Sequence, residues 1–373
     1  MAFQKIALTM AAASCLLLVG CGEDTTTDKK AEKAVASTEP LKAAWVYPSP
    51  RADEGWSKQH EEARMLIEQK YGDKIRTQVV DNVTNTVDAE RVIRDLAAQG
   101  NKIIFATSFT YMNPALKVAK EFPDVKFENC TGYKTAANYS NYNARFYQAR
   151  YLAGKLAASM SKTAHLGYVA AMPIPEVLQG INAYTLGAQS VNPDVKVSVV
   201  WTNTWYDPGK EVDATNTLIG QGCDILTHHT DSTAVPATAE SRGVKVISYH
   251  SAMTKTAPKQ LIGAVTHHWD EYYAHRIQAL YDGKWKVEPV WGGAELHMVR
   301  LSAITPDAPK SVVEDINAVY SKMEKKEFNV FSGPIVDNEG KVQIPKGKVA
   351  DDKMLNTMNY FVKGVIGKVP TGK

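Results

Sequence analysis

Trp205 stands on a turn between an apolar run, Val195 to Asn203, and a helix start signalled by Asp207-Pro208. Aspartate is a preferred N-cap residue, and proline suits the first helical position. A strand-to-helix turn of this kind lies at the carboxyl edge of an open parallel sheet, where such folds bind their ligands. Two readings of the indole stay open: the cap of a local cluster, or a stacking platform for a planar ligand. We expect the second.

Other side chains with polar chemistry sit at the same kind of place. Ser108, Asn129, Asn203, Asp231, His250 and His267 end or follow apolar runs, so they are candidates to read the polar edge of a ligand. Thr107-Ser108-Phe109 follows one such run and opens a helix, which adds free backbone N–H groups. Glu176 lies at the corresponding edge of a later unit, after Met172-Pro-Ile-Pro. It is either an acceptor for an exocyclic amine or a partner of the helix dipole. The histidines His228-His229, His250 and His267-His268 admit three readings: zinc ligands, structural side chains, or hydrogen-bonding groups toward a base. Neighbouring histidines on a strand point to opposite faces, and no cysteine or carboxylate stands at helical ligand spacing. We expect no metal and no other cofactor. The sequence has no Gly-x-Ser-x-Gly elbow, P-loop or Gly-x-Gly-x-x-Gly fingerprint, so binding rather than catalysis is expected.

The elements that must position these groups alternate. Apolar runs at 43–47, 77–80, 102–107 and 125–130 read as strands, separated by helical stripes at 61–71, 88–98 and 112–119. The rhythm restarts after Arg150-Tyr-Leu-Ala-Gly154, with strands at 165–171, 195–203, 224–228 and 244–249 and helices at 176–189, 209–220 and 234–242. Such alternation means βαβ units on parallel sheets, here two sets in tandem. The tail reads as a strand at 261–267, a helix at 270–280, a strand at 296–302, a helix at 311–325 and turns within 331–344. We expect an α/β protein of two lobes joined by several strands, a hinged clamshell. The first lobe is expected at 41–147 plus about 268–300, the second at 148–267 plus about 301–373.

Composition limits the partners. The chain of 373 residues is 44% hydrophobic with a net charge of +3 and has no Lys/Arg block, which argues against nucleic acid. Lys5 and the apolar stretch Ile6 to Val19 read as a signal peptide at 1–20, too short to span a bilayer. Residues 21–40 are poor in large apolar groups and read as a flexible tether. Cys130 and Cys223 each border an apolar run, so buried free thiols are expected rather than a disulfide.

Several segments in order carry a resemblance. Leu18-Val19-Gly20-Cys21 is similar to a bacterial lipobox, which implies lipid on Cys21. Glu121-Phe-Pro-Asp-Val-Lys-Phe127, Gln148-Ala-Arg-Tyr-Leu-Ala-Gly154, Asp207-Pro-Gly-Lys-Glu211 and Gly222-Cys-Asp-Ile-Leu226 follow at fitting distances. Together they resemble the BMP (basic membrane protein, PnrA-like) family of substrate-binding lipoproteins of ABC transporters. The resemblance implies a type I periplasmic-binding-protein clamshell, parallel sheets flanked by helices. It further implies a monomer tethered by lipid on the periplasmic side, which delivers its ligand to an ABC permease in the inner membrane. In that family aromatic rings hold a purine nucleoside, and by the same resemblance Trp56 matches the first-lobe aromatic and Trp205 the second. The ribose-binding aspartate of the family is absent: its segment reads Ser248-Tyr-His-Ser-Ala-Met253, with His250 at the first acid. The family lysine falls near Thr266-His-His268 and is absent too. Without an ionised acceptor for the cis-diol, the expected ligand is a free purine base or similar flat heterocycle. A purine nucleoside, a metal, and a surface-interaction role with a vestigial cleft are the alternatives.

Overall fold

A computed structural model describes residues 39–52 and 54–370. The signal peptide, Cys21 and nearly all of the tether expected at 21–40 lie outside the described residues. No helix among the described residues is long and apolar enough to cross a membrane.

The strands, in chain order, are β1 (Leu41–Val46), β2 (Ile75–Val80), β3 (Ile103–Ala106), β4 (Lys126–Cys130), β5 (Tyr139–Ala144), β6 (His165–Ala170), β7 (Lys196–Trp201), β8 (Ile225–His229), β9 (Lys245–His250), β10 (Leu261–His267), β11 (Val290–Gly292), β12 (Val299–Ser302), β13 (Ile335–Val336), β14 (Val342–Ile344) and β15 (Val365–Ile366). The helices are α1 (Trp56–Tyr71), α2 (Thr86–Ala98), α3 (Met112–Glu121), α4 (Phe146–Met160), α5 (Pro175–Gln189), α6 (Pro208–Gly220), α7 (Ala234–Arg242), α8 (Asp270–Tyr281), α9 (Lys310–Glu324) and α10 (Asp352–Asn356).

Two sheets carry the fold. The first runs β11-β5-β4-β3-β1-β2, and all its pairings are parallel. The second runs β12-β10-β9-β8-β6-β7-β15 and is parallel except at its β12 edge. Parallel strands need covering helices on both faces, and the helices between them supply these. In α2 the residues Ala89, Val92, Ile93, Leu96 and Ala97 are buried, the stripe that a 3.6-residue period demands. Its N-cap Asn85 accepts from the backbone N–H of Asp88 at 2.9 Å.

The chain passes from one sheet to the other three times: from β5 into α4, from β10 toward α8 and β11, and from β11 into β12. At the crossings the Arg145 N–H donates to the Gly292 carbonyl at 2.6 Å and the His268 N–H to the Met298 carbonyl at 3.0 Å. α4 and α5 pack closely enough that a Cβ on Gly154 would lie 1.9 Å from the Tyr184 carbonyl. That contact holds α5, and so its first-turn Glu176, against the crossing helix.

Candidate functional site

A cavity of about 510 Å³ lies at the carboxyl edges of both sheets, within the size range of small-molecule sites. The first sheet contributes Trp56, Ser108, Phe109 and Asn143, and the second Glu176, Trp205, His229, Asp231 and His250. No lysine or arginine stands among its lining residues. Seven of the ten side chains expected from sequence therefore meet in one place.

Trp56 begins α1, and its indole N–H donates to the Thr107 carbonyl at 2.6 Å. Only 7% of it is exposed, and its ring meets those of His250 and His267 edge-on at 5.4 and 5.6 Å. Trp205 comes from the turn before α6, whose N-cap Asp207 accepts from the Lys210 N–H at 3.1 Å. The Asp231 N–H donates to the Trp205 carbonyl at 2.8 Å, which ties that turn to the loop after β8. Trp205 packs as a tilted ring against His229, centroids 6.1 Å apart. Phe109 and Tyr133 make a second aromatic pair at 6.5 Å, with Tyr133 exposed.

The polar lining is unusual in holding carboxyls without cationic partners. Glu176 accepts from Asn143 Nδ2 at 3.0 Å, a bond from α5 to a strand of the first sheet. Its other oxygen lies 3.8 Å from His229 Nε2. Burial pushes the Glu176 carboxyl up to about 7. Asp231 Oδ1 lies 3.2 Å from His250 Nε2, and burial pushes this carboxyl up to about 8. Burial holds His229 and His250 well below the ordinary imidazole range, and the Arg150 guanidinium lowers both further. That guanidinium lies 3.5 Å from the Tyr249 ring centroid, and Tyr249 in turn packs against both imidazoles. Around neutral pH Asp231 is thus mostly protonated, Glu176 about half so, and the imidazoles are neutral, groups that both donate and accept. His250 has φ of 76°, a left-handed conformation that non-glycine residues seldom adopt. His229 Nδ1 and His250 Nε2 lack an aligned hydrogen-bond partner.

Three expected residues do not line the cavity. Asn129 is fully buried, and its amide donates to the carbonyls of Ala106 and Ser108 at 3.0 and 2.9 Å, so it braces the Ser108-Phe109 loop from below. Asn203 is exposed, with φ of 55°, and its N–H is used by the Ala171 carbonyl at 3.0 Å. His267 stands behind His250, their ring nitrogens 3.0 Å apart. Sequence reasoning missed Thr131, Tyr133, Asn143 and Asn356 at the end of α10; His229, weighed there with the other histidines as a base-facing group, lines the cavity too. The Pro175 start of α5 was a usable signal for its neighbours, but nothing local marks Asn356. Cys130 and Cys223 are buried and free. Among the described residues no group of three His, Cys, Asp or Glu side chains is placed to hold a metal ion.

The family model described as ABC transporter substrate-binding protein PnrA-like matches residues 41–338. The chain belongs to this family. It is the substrate-binding protein of an ABC transporter, and the family consists of transport proteins that bind small molecules and partner with a permease. A protein of Brucella abortus (strain 2308) named as purine-binding is 48% identical over 339 residues, covering 90% of this chain and 96% of its own. A Haloferax volcanii protein named as a putative ABC transporter glucose-binding protein is 35% identical over 333 residues, 89% of this chain and 82% of its own. Among solved structures, an ABC transporter solute-binding protein of Conexibacter woesei superposes with a TM-score of 0.64 at 22% identity, over 78% of this chain and 98% of that one. One from Aeropyrum pernix K1 gives 0.66 at 16% identity, over 85% and 96%. These PnrA-like and solute-binding neighbours share the two-lobed fold of parallel sheets flanked by helices.

Proposed function

We propose that this PnrA-like protein captures a purine nucleobase, or a similarly flat heterocycle, between its two lobes and delivers it to a membrane permease. The observation that carries the reading is the cavity itself: an indole from each sheet, Trp56 and Trp205, with a lining of hydrogen-bonding groups that includes no lysine or arginine. A flat ring with two exposed faces gains about 1–3 kcal/mol from each aromatic partner. A phosphorylated or carboxylated ligand would find no cation among the lining residues, so nucleotides are disfavoured. The likeness to the Brucella protein supports the same class. Lobe closure is a shift between open and closed populations, driven by the contacts that only the closed form makes. We propose further that Cys21 carries lipid, that the monomer works on the periplasmic side, and that Trp56, Trp205, Ser108, Phe109, Glu176, Asp231 and His250 contact the ligand.

The test is a thermal-shift and calorimetric screen of the chain without its first 21 residues. The panel holds adenine, guanine, hypoxanthine, urate, their nucleosides, glucose and zinc. Stabilisation by bases alone supports the reading. Tighter binding of nucleosides moves the ligand to that class, and a response to glucose or zinc alone refutes a purine site.

A further inference from the structure

The cavity has an exposed end and a closed end. Tyr133, at the exposed end, is 70% accessible, whereas His250 and Asp231, at the other, are 2% and 5% accessible. At the closed end the two lobes touch through main chain. The β1–α1 turn brings Gly55 so close to the β8–α7 loop that a Cβ there would lie 2.0 Å from the Asp231 carbonyl oxygen. The preceding residue fastens the same contact. The Ser251 hydroxyl donates to the Glu54 carbonyl at 3.0 Å, and the Thr256 hydroxyl donates to Glu54 Oε2 at 2.9 Å. Trp56 follows Gly55 directly in sequence, and Asp231 and His250 line the cavity on the opposite side of the seam. The seam is therefore the outer wall of the pocket end where the buried polar groups stand.

We propose that this Glu54-Gly55 seam is the specificity determinant of the site: it admits only heterocycles whose edge toward Asp231 and His250 is an unsubstituted ring N–H. The inference rests on the reading of the cavity as a nucleobase site. A ring N–H donates into the neighbouring Asp231 oxygen or into His250 Nε2, the ring nitrogen that lacks an aligned partner. Replacing that hydrogen with a sugar or a methyl group removes the donor and adds atoms against the Asp231 and His250 side chains, which the seam backs. The lobes then cannot reach the contact seen at Gly55. Ligand choice and closure are thus decided at one place.

The experiment measures binding of adenine and hypoxanthine, and of the 9-methyl and 9-ribosyl derivative of each, by calorimetry. It uses the wild-type chain, a Ser251→Ala/Thr256→Ala double variant and Gly55→Ala. The wild type should prefer each base over its 9-methyl derivative by more than about tenfold. The double variant loosens the seam, so this preference should shrink by about tenfold while base binding survives. Gly55→Ala props the seam open and should weaken the bases themselves by more than about tenfold. Melting of each ligand-free variant reports whether it folds, and the double variant carries the test should Gly55→Ala not fold. An unchanged preference in a double variant that still binds bases overturns the seam and leaves the nucleobase reading intact. A wild type that binds 9-substituted purines as tightly as bases also overturns it. A wild type that binds neither base removes the nucleobase reading and the seam with it.

Discussion

Asp231, Glu176 and Glu211 each contribute stability to the ligand-free protein that should be lost as pH rises. Burial raises their folded-state pKa values to about 8, about 7 and about 7. In the unfolded chain the same groups titrate near 4. Their contribution is therefore fully present below pH 4, is already partly lost at pH 6, and goes on falling until pH passes 8. Over the window from about pH 6 to about pH 9 Asp231 crosses two pH units with its proton held only in the folded state. At about 1.4 kcal/mol per unit that costs about 3 kcal/mol, and the two glutamates add about 1 kcal/mol each. With about 0.7 kcal/mol per kelvin for a chain of this size, the three carboxyls alone lower melting by about 7 °C across the window, while the buried histidines, neutral in the fold, act in the opposite direction as the unfolded imidazoles lose their protons. Asp231→Asn keeps the shape and removes the titration, so from about pH 6 to about pH 9 its melting should rise relative to the wild type by about 4 °C. The groups around Asp231 include His250 at 3.2 Å, with Tyr111 and Glu211 close enough to interact electrostatically. Differential scanning calorimetry of both proteins at matched ionic strength reads the effect. An Asp231→Asn variant with the full wild-type slope would mean that Asp231 is ionised throughout, paired with a protonated His250, and the neutral-lining argument would fail.

Trp56→Ala and Trp205→Ala should each weaken base binding between about fivefold and a hundredfold, the equivalent of about 1–3 kcal/mol of stacking. Unchanged affinity in both, measured by calorimetry, would remove the two-ring site. Arg276→Met should cost about 3–5 kcal/mol in urea unfolding, because Glu128, bonded to Arg276 Nε at 2.6 Å and fully buried, would lose its charge partner. A loss under about 1 kcal/mol would show that its bonds from Tyr272 and Trp285 suffice alone. Burial raises the thiol of Cys130 well above its ordinary range and that of Cys223 to about 12. Neither should react with a disulfide reagent near neutral pH until the chain is unfolded; rapid labelling of the native protein would contradict their burial.

Local chemistry made much of this protein legible. Asp207-Pro208 announces a helix start, and the structure places α6 there. The α2 stripe needed no more than the helical period. Strand ends in a parallel sheet share one edge, so Ser108, Asp231 and His250 were findable as lining residues of the cavity by position alone. Among the elements that escaped, two did so because their patterns are not amphipathic. β5 is interrupted by Ser140, Asn141 and Asn143, yet pairs on both sides. α4 is buried nearly all round between the lobes' elements and shows no single apolar face. Tertiary structure alone decided where the polar side chains point. Asn129 turns its amide to two carbonyls and His267 stands behind His250, although both end strands as Asp231's neighbours do. Only the folded chain brings Asn143 to Glu176, Asn356 to the cleft, and Gly55 against Asp231. Sequence separation hides such contacts: capping and periodicity act over a few residues, while the pocket is made by segments that meet only when two sheets close on each other.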